Sequence, residues 1–265
     1  MYKLVFSDLD GTLLTDKKEI LEENILEFKR LKKLGIKVIL CSGRQKNAVK
    51  HYQLVAHSSE YIISCNGAEI YDCKTQKELY LCDISKETIL NIYFIAQKLN
   101  LIFKIDTQDA RYISNTAYAS IDEIKFDTDI YEFINNNKIL QISLGHTDET
   151  VINNLILKIS NYTDIKVENK FQFNREKNEN TIWIINIVNS NVSKGNAIKK
   201  ICQVLNVDKN DTIAFGDDKN DISMIKSIGY GIAMENSHNS LKCIAKEIIT
   251  DNNTPGISNI LKKLI

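Results

Sequence analysis

The sequence predicts an α/β protein in which a parallel-sheet core is interrupted by an inserted α+β domain. Three observations lead there. Short, mostly apolar strands alternate with amphipathic helices at both ends of the chain, the pattern of a sheet covered on both faces. From about residue 83 to 190 the rhythm changes and strands come in pairs, as in an antiparallel sheet with helices on one face. The strands of the outer parts end in polar turns, where ligands sit in open α/β sheets. The expected division is 1–82 with 191–265 as the core and 83–190 as the insertion.

Tyr2 to Ser7 reads as the first strand and leads into Asp8-Leu9-Asp10-Gly11-Thr12. Leu21, Ile25, Phe28 and Leu31 recur at helical spacing over Ile20 to Leu34, and Gly35 can end that helix. Ile36 to Cys41 is a second strand, ending in Ser42-Gly43-Arg44 before a helix from about Gln45 to Val55. Tyr61 to Cys65 is a third, ending in Asn66-Gly67-Ala68. This order implies right-handed crossovers and parallel pairing.

In the insertion, a helix over Ser85 to Leu99 leads to strands at Leu101 to Ile105 and Arg111 to Ser114. A weakly helical Asp129 to Asn137 precedes a strand at Lys138 to Leu144 and a helix at Asp148 to Ser160. Strands near Asp164 to Glu168 and Thr181 to Val188 follow, with polar Asn174 to Asn180 as a loop or hairpin tip. The first pattern resumes at Ser193, which can cap a helix over Lys194 to Leu205. Asp211 to Phe215 is a strand ending in Gly216-Asp217-Asp218-Lys219-Asn220-Asp221, which opens another helix. Strands at Gly229 to Met234 and Lys246 to Thr250 flank a helix near His238 to Ala245. Pro255 stands near the start of a last helix, Ile257 to Leu264.

Composition excludes several functions. The 34 basic residues balance 34 acidic ones, so no net field draws the chain to nucleic acid or to an anionic membrane. No apolar run reaches the roughly 18 residues of a membrane span. The chain is expected to open directly on a strand, leaving no room for a charged-then-apolar export signal. Six cysteines without a C-x-x-C pair fit free thiols in a reducing compartment. A soluble cytoplasmic protein is expected, either a monomer or a weak homo-oligomer.

Four separated pieces, each at a strand end or helix start, offer complementary chemistry. Asp8, Asp10, Asp217, Asp218 and Asp221 form an oxygen-rich set suited to a small hard cation such as Mg²⁺. Lys194 and Ser42 offer a positive charge and a hydroxyl to phosphate oxygens, and amides after Asp8 and Ser42 can add to them. Taken singly, each piece is also an ordinary solvated turn. Together the ordinary readings need four coincidences.

Asp8-Leu9-Asp10-Gly11-Thr12, Ser42-Gly43-Arg44, Lys194-Gly195 and Gly216-Asp217-Asp218-x-Asn220-Asp221 resemble the four motifs of the haloacid dehalogenase superfamily of phosphatases. Asn66-Gly67-Ala68, the insertion between motifs two and three, and the Asp251 to Gly256 stretch resemble its Cof-like branch, subfamily IIB. The resemblance implies a Rossmann-like core with an α+β cap, and a Mg²⁺-dependent phosphatase of small phosphorylated metabolites, sugar phosphates foremost. It implies Asp8 as nucleophile and Asp10 as acid and base, with a raised Asp10 pKa in part of the cycle. It places the metal on Asp8, the Asp10 carbonyl and Asp217, and phosphate on Ser42, Gly43, Lys194 and Asn220. Asp218, Asp221, Thr12 and Asn66 would support them.

Two further enzyme readings are a phosphomutase and a phosphatase for one glycosyl phosphate. A phospho-acceptor signalling domain uses a similar acidic cluster, hydroxyl and lysine, although an acid and base at Asp10 argues against storing phosphate. Arg44 reads as a partly solvated arginine outside the site. Arg111, Lys125, His146, Lys170 and Arg175 could touch a substrate but are read as surface charges, and Trp183 is read as a core or interdomain packing residue. His51, His57, His146 and His238 lack the spacing of a zinc site.

Overall fold

The structure of the chain, a computed structural model, describes residues 1–114, 123–126, 128–173 and 181–265. The loop expected at 174–180, with Arg175, lies outside the described residues. The chain forms two compact units, Met1–Tyr80 with Ser193–Ile265, and Leu81–Val192.

The elements of the first part are β1 (Leu4–Ser7), α1 (Glu22–Lys33), β2 (Lys37–Cys41), α2 (Lys46–Val55), β3 (Tyr61–Ser64), β4 (Glu69–Asp72) and β5 (Lys77–Leu81). The second unit contributes α3 (Lys86–Lys98), β6 (Ile102–Thr107), β7 (Arg111–Ile113), β8 (Glu123–Lys125), α4 (Ile130–Asn136), β9 (Ile139–His146), α5 (Glu149–Ile159), β10 (Ile165–Phe173) and β11 (Ile182–Asn189). The first unit then resumes with α6 (Lys194–Val204), β12 (Thr212–Gly216), α7 (Ile222–Lys226), β13 (Tyr230–Met234), α8 (Asn239–Lys242), β14 (Glu247–Ile249) and α9 (Gly256–Leu264).

In the first unit the strands run β14-β13-β12-β1-β2-β3-β4-β5. The six from β14 to β3 are parallel, and β4 turns back antiparallel to β3. Alternate side chains of these strands feed two cores. Val5, Val38, Leu40, Ile213 and Phe215 join Phe28 and Leu31 of α1 and Ile257 and Leu261 of α9. Leu4, Phe6, Ile39 and Ala214 join Ala197, Ile198 and Ile201 of α6. Apolar residues on both faces explain why these strands show no hydrophobic alternation. β1 lies between β2 and β12, where the chain leaves toward one edge and later returns toward the other. That strand-order reversal is the switch point at which α/β sheets bind ligands, and Asp8 follows β1 there.

The hairpin β4–β5 went unpredicted. Its strands are rich in charged and polar residues, and its turn puts Gln76, not a glycine, at φ 57°. The helix expected over His238 to Ala245 is only the short α8, and β10 runs on to Phe173.

In the second unit the strand order is β10-β11-β9-β6-β7-β8. Pairing is antiparallel except for β8, an unpredicted strand parallel to β7. Phe103, Ile105, Ile142, Leu144, Ile185 and Ile187 pack against Ile92 of α3, Phe133 of α4 and Leu155 of α5. Alternate residues such as Asp106, Gln141, Ser143 and Asn186 bear polar groups, as strand periodicity requires.

Candidate active site

The first carboxylate after β1, Asp8, is almost completely buried. A bare charge there would be costly, and the chain supplies a partner 186 residues away. Lys194, the first residue of α6, is wholly buried, and its Nζ lies 2.6 Å from Asp8 Oδ1 and 2.6 Å from Asp221 Oδ1. Ser193 caps that helix by accepting the Asn196 amide proton at 3.0 Å. Asp221 Oδ2 accepts the backbone N–H groups of Asp217 (2.9 Å) and Asp218 (3.1 Å). Asp221 thus ties Lys194 to the turn after β12.

Asp217 belongs to that turn, and its Oδ1 accepts the Thr12 hydroxyl at 2.7 Å. Gly11 has φ +77°, and a Cβ there would lie 2.3 Å from Asp217 Oδ2, so a side chain at this position would collide with the carboxylate. The exposed Asp218 caps the following turn through the Lys219 N–H at 2.7 Å. Asn220 Nδ2 donates to Oδ1 of the fully buried Asn66 at 3.0 Å. Asn66 also packs against Gly43, where a Cβ would come within 3.0 Å of its amide. Its N–H donates to the Ser42 carbonyl at 3.0 Å. The structure therefore joins Asp8, Lys194, Asp221, Asp217 and Thr12 in one linked set. It joins Ser42, Gly43, Asn66 and Asn220 in another, and the Asn220–Asp221 peptide connects the two.

Asp10 differs from expectation. Arg44 donates from Nε to its Oδ2 at 2.6 Å and from Nη2 to its Oδ1 at 2.7 Å, and Lys18 Nζ reaches Oδ1 at 2.7 Å. Burial alone would raise this carboxyl, but the Arg44 fork and the Lys18 ammonium outweigh it and hold Asp10 down at about 2. In this arrangement Asp10 faces cations rather than neighbouring carboxylates, so the rise expected for part of the cycle has no source here. Arg44, left off the site from sequence, is the principal one. Its backbone position after Ser42-Gly43 was the available signal, whereas Lys18, on an irregular loop at φ 63°, had none.

The other carboxyls shift the opposite way. Burial pushes Asp8 well above the carboxylate range despite the pull of Lys194, and Asp221 and Asp217 add to the rise. Asp217 is pushed up to about 7, by burial first and then by the Asp221 charge. Burial works against the Lys194 charge, but Asp221 and Asp8 overcome it and keep the ammonium firmly protonated. Three carboxylates share one ammonium, leaving an excess of negative charge that a divalent cation would offset. Oxygens of Asp8, Asp217 and Asp221 lie within 4.8 Å of one another, so the donor set fits a hard cation. Both Asp221 oxygens are already engaged, leaving Asp8 and Asp217 as the freer ligands.

The insertion's charges are held locally. Arg111 forks Asp106 at 2.5 and 2.8 Å, His146 Nδ1 accepts the Asp148 N–H at 2.9 Å, and Lys170 pairs with Glu149 at 2.5 Å. Lys125 is exposed. Trp183 packs on the second unit's core, under Lys170 at 4.6 Å.

Residues 5–261 match the haloacid dehalogenase-like hydrolase family. A protein of Buchnera aphidicola subsp. Baizongia pistaciae, provisionally named a phosphatase, is 31% identical, with 100% of this chain and 98% of that protein covered. The 5-amino-6-(5-phospho-D-ribitylamino)uracil phosphatase YcsE of Bacillus subtilis is 25% identical, covering 98% and 94%. The solved structure of the subclass IIB sugar phosphatase BT4131 superposes with a TM-score of 0.77 at 18% identity, covering 99% and 98%. An acidic switch-point site on this parallel sheet is that of a haloacid dehalogenase-like hydrolase, and the chain belongs to that family. Within it, the chain is a Cof-like phosphatase, a phosphoric monoester hydrolase. Among the described residues no helix is long and apolar enough to cross a membrane.

Proposed function

We propose that this phosphatase is Mg²⁺-dependent and hydrolyses small phosphorylated metabolites, sugar phosphates foremost, through an aspartyl-phosphate on Asp8. The observation that carries the reading is Lys194, held at 2.6 Å between Asp8 and Asp221. An Asp8 carboxylate oxygen attacks phosphorus in line, and the bond to the leaving oxygen breaks as the new one forms. The Arg44 fork and Lys18 favour ionised Asp10, so Asp10 acts from its minor protonated form: it gives that oxygen a proton, then takes one from the water that hydrolyses the intermediate, returning both carboxyls to their starting states. Lys194, Ser42, the Gly43 amide and Asn220 bind phosphate oxygens. Asn66 positions Asn220, Thr12 orients Asp217, and Asp218 and Asp221 keep the turn after β12 in shape. An Asp8 carboxylate oxygen, the Asp10 carbonyl and Asp217 would hold Mg²⁺, whose charge would offset that of the transferring group.

Residues 1–82 and 191–265 are assigned the chemistry, and 83–190, the type IIB cap, the choice of substrate. YcsE is named for a phospho-ribityl compound and BT4131 as a sugar phosphatase, and both names support a sugar- or polyol-like substrate. The cytoplasm is the expected compartment, with a monomer or weak homo-oligomer the working form. The test is a panel of phosphorylated metabolites assayed with and without Mg²⁺, for native protein and Asp8→Asn. Turnover is expected only in the native protein with Mg²⁺. Turnover that survives in Asp8→Asn would reject the covalent route.

A further inference from the structure

We propose that Arg44, assisted by Lys18, is a positioning residue that fixes the Asp10 carboxylate and leaves one chosen oxygen free for proton transfer. This rests on the acid and base role assigned to Asp10 above. A carboxylate offers about two acceptor sites on each oxygen. Asp10 Oδ1 uses both, on Arg44 Nη2 at 2.7 Å and Lys18 Nζ at 2.7 Å. Oδ2 uses one, on Arg44 Nε at 2.6 Å. The remaining site on Oδ2 is the place left for a proton.

The fork is itself held in place. The Arg44 N–H donates to Ser42 Oγ at 3.2 Å, and its carbonyl accepts the Cys65 N–H at 2.8 Å, so its backbone is fixed between two turns of the site. Its guanidinium lies over the Tyr52 ring, 5.2 Å from the centroid. The Tyr52 hydroxyl donates to the Lys18 carbonyl at 3.3 Å, linking both cations to one aromatic residue. Two parallel N–H···O bonds set the plane of the carboxylate as well as its place, which a single ammonium does not. Lys18 makes one bond from a half-exposed side chain and contributes less.

A residue that acts only through Asp10 loses its effect once Asp10 is gone. Arg44→Gln, Arg44→Lys and Lys18→Met are therefore made in the native and the Asp10→Asn backgrounds. Single-turnover phosphoryl transfer at saturating substrate is measured for ribose 5-phosphate, whose alkoxide needs a proton to leave, and for p-nitrophenyl phosphate, whose phenolate does not. Acid–base catalysis is worth about 10²–10⁴-fold, so mispositioning Asp10 by Arg44→Gln should slow ribose 5-phosphate about 10- to 100-fold. The p-nitrophenolate burst should change less than about threefold, and Arg44→Lys should recover part of the loss. In Asp10→Asn the same Arg44→Gln change should cost less than about twofold. An equal loss in both backgrounds, or equal slowing of both substrates, would show Arg44 acting on the substrate directly and overturn the proposal. Full activity of Asp10→Asn alone would instead remove the acid and base role of Asp10, a separate result. Should Arg44→Gln fail to fold, Arg44→Lys carries the same comparison.

Discussion

At the scale of single residues, Lys194 bears the largest electrostatic burden, because its ammonium lies between two buried carboxylates at 2.6 Å each. Lys194→Met keeps most of the volume and removes the charge. Losing a positioned cation at the transferring group should lower kcat/KM by about 10²–10³-fold. Removing one partner of a buried ion pair should also cost about 3–5 kcal/mol of stability. The sign of its pH dependence follows from the survivors. Without Lys194, the buried Asp8, already raised, is costly only when ionised, so the loss in Tm should be larger at pH 8 than at pH 5. Melts of both proteins at the two pH values check this, and a pH-independent gap would mean Lys194 stabilises by packing alone. Asp8, Asp217 and Lys194 were legible because each stood in a motif at a strand end or helix start. Arg44 and Lys18 were not, because which carboxylate a surface cation meets depends on how a loop returns, and no local pattern encodes that.

At the scale of elements, the turn between β3 and β4 does most to join the site's pieces. Cys65, Asn66 and Gly67 take φ values of 47°, 59° and 100°, three left-handed residues in succession. Such conformations cost about 1–3 kcal/mol for non-glycine residues and persist where surroundings impose them. Here the imposing contacts are Cys65 N–H to Arg44 O, Asn66 N–H to Ser42 O, and Asn220 on Asn66. A Cβ on Gly67 would fall 2.4 Å from the Ser193 carbonyl, against the start of α6. Gly35, at φ 77°, would meet nothing within 4 Å. Gly35→Ala should therefore lower Tm through backbone strain alone and leave kcat within about twofold. Gly67→Ala should cost about 1–3 kcal/mol and reduce kcat at least tenfold by shifting Lys194. Equal kcat for the two variants would show that the turn does not position Lys194. The parallel strands were readable as buried apolar runs, whereas β4 and β5 were hidden by charged residues and a turn without glycine. Pairing partners supplied by the fold, not local propensity, make those two residue runs into strands.

At the scale of the whole molecule, the two units have separate hydrophobic cores, and every residue proposed to hold the cation belongs to the first. The family and both sheets were legible because the four motifs and the change of strand rhythm repeat information over many residues. The charge balance of the site was not, because it depends on burial. Asp217 is raised to about 7, and burial also raises Asp8 well above its unfolded value. A carboxyl with a raised folded-state pKa binds more protons folded than unfolded. Between about pH 4 and 7 the metal-free first unit should lose stability as pH rises, opposite to an ordinary salt-bridged carboxylate. A cation that binds the ionised carboxylates should reverse the trend, adding about 2.7 kcal/mol at a concentration 100 times its Kd. Scanning calorimetry in chelator and in Mg²⁺, at pH 6 and pH 8, reads both effects. The first unit's transition should fall from pH 6 to pH 8 in chelator and recover with Mg²⁺, more at pH 8 than at pH 6. The second unit's transition should respond to neither. One transition shifting as a whole would show the units unfolding together, and no response to Mg²⁺ at either pH would remove the cation from this site.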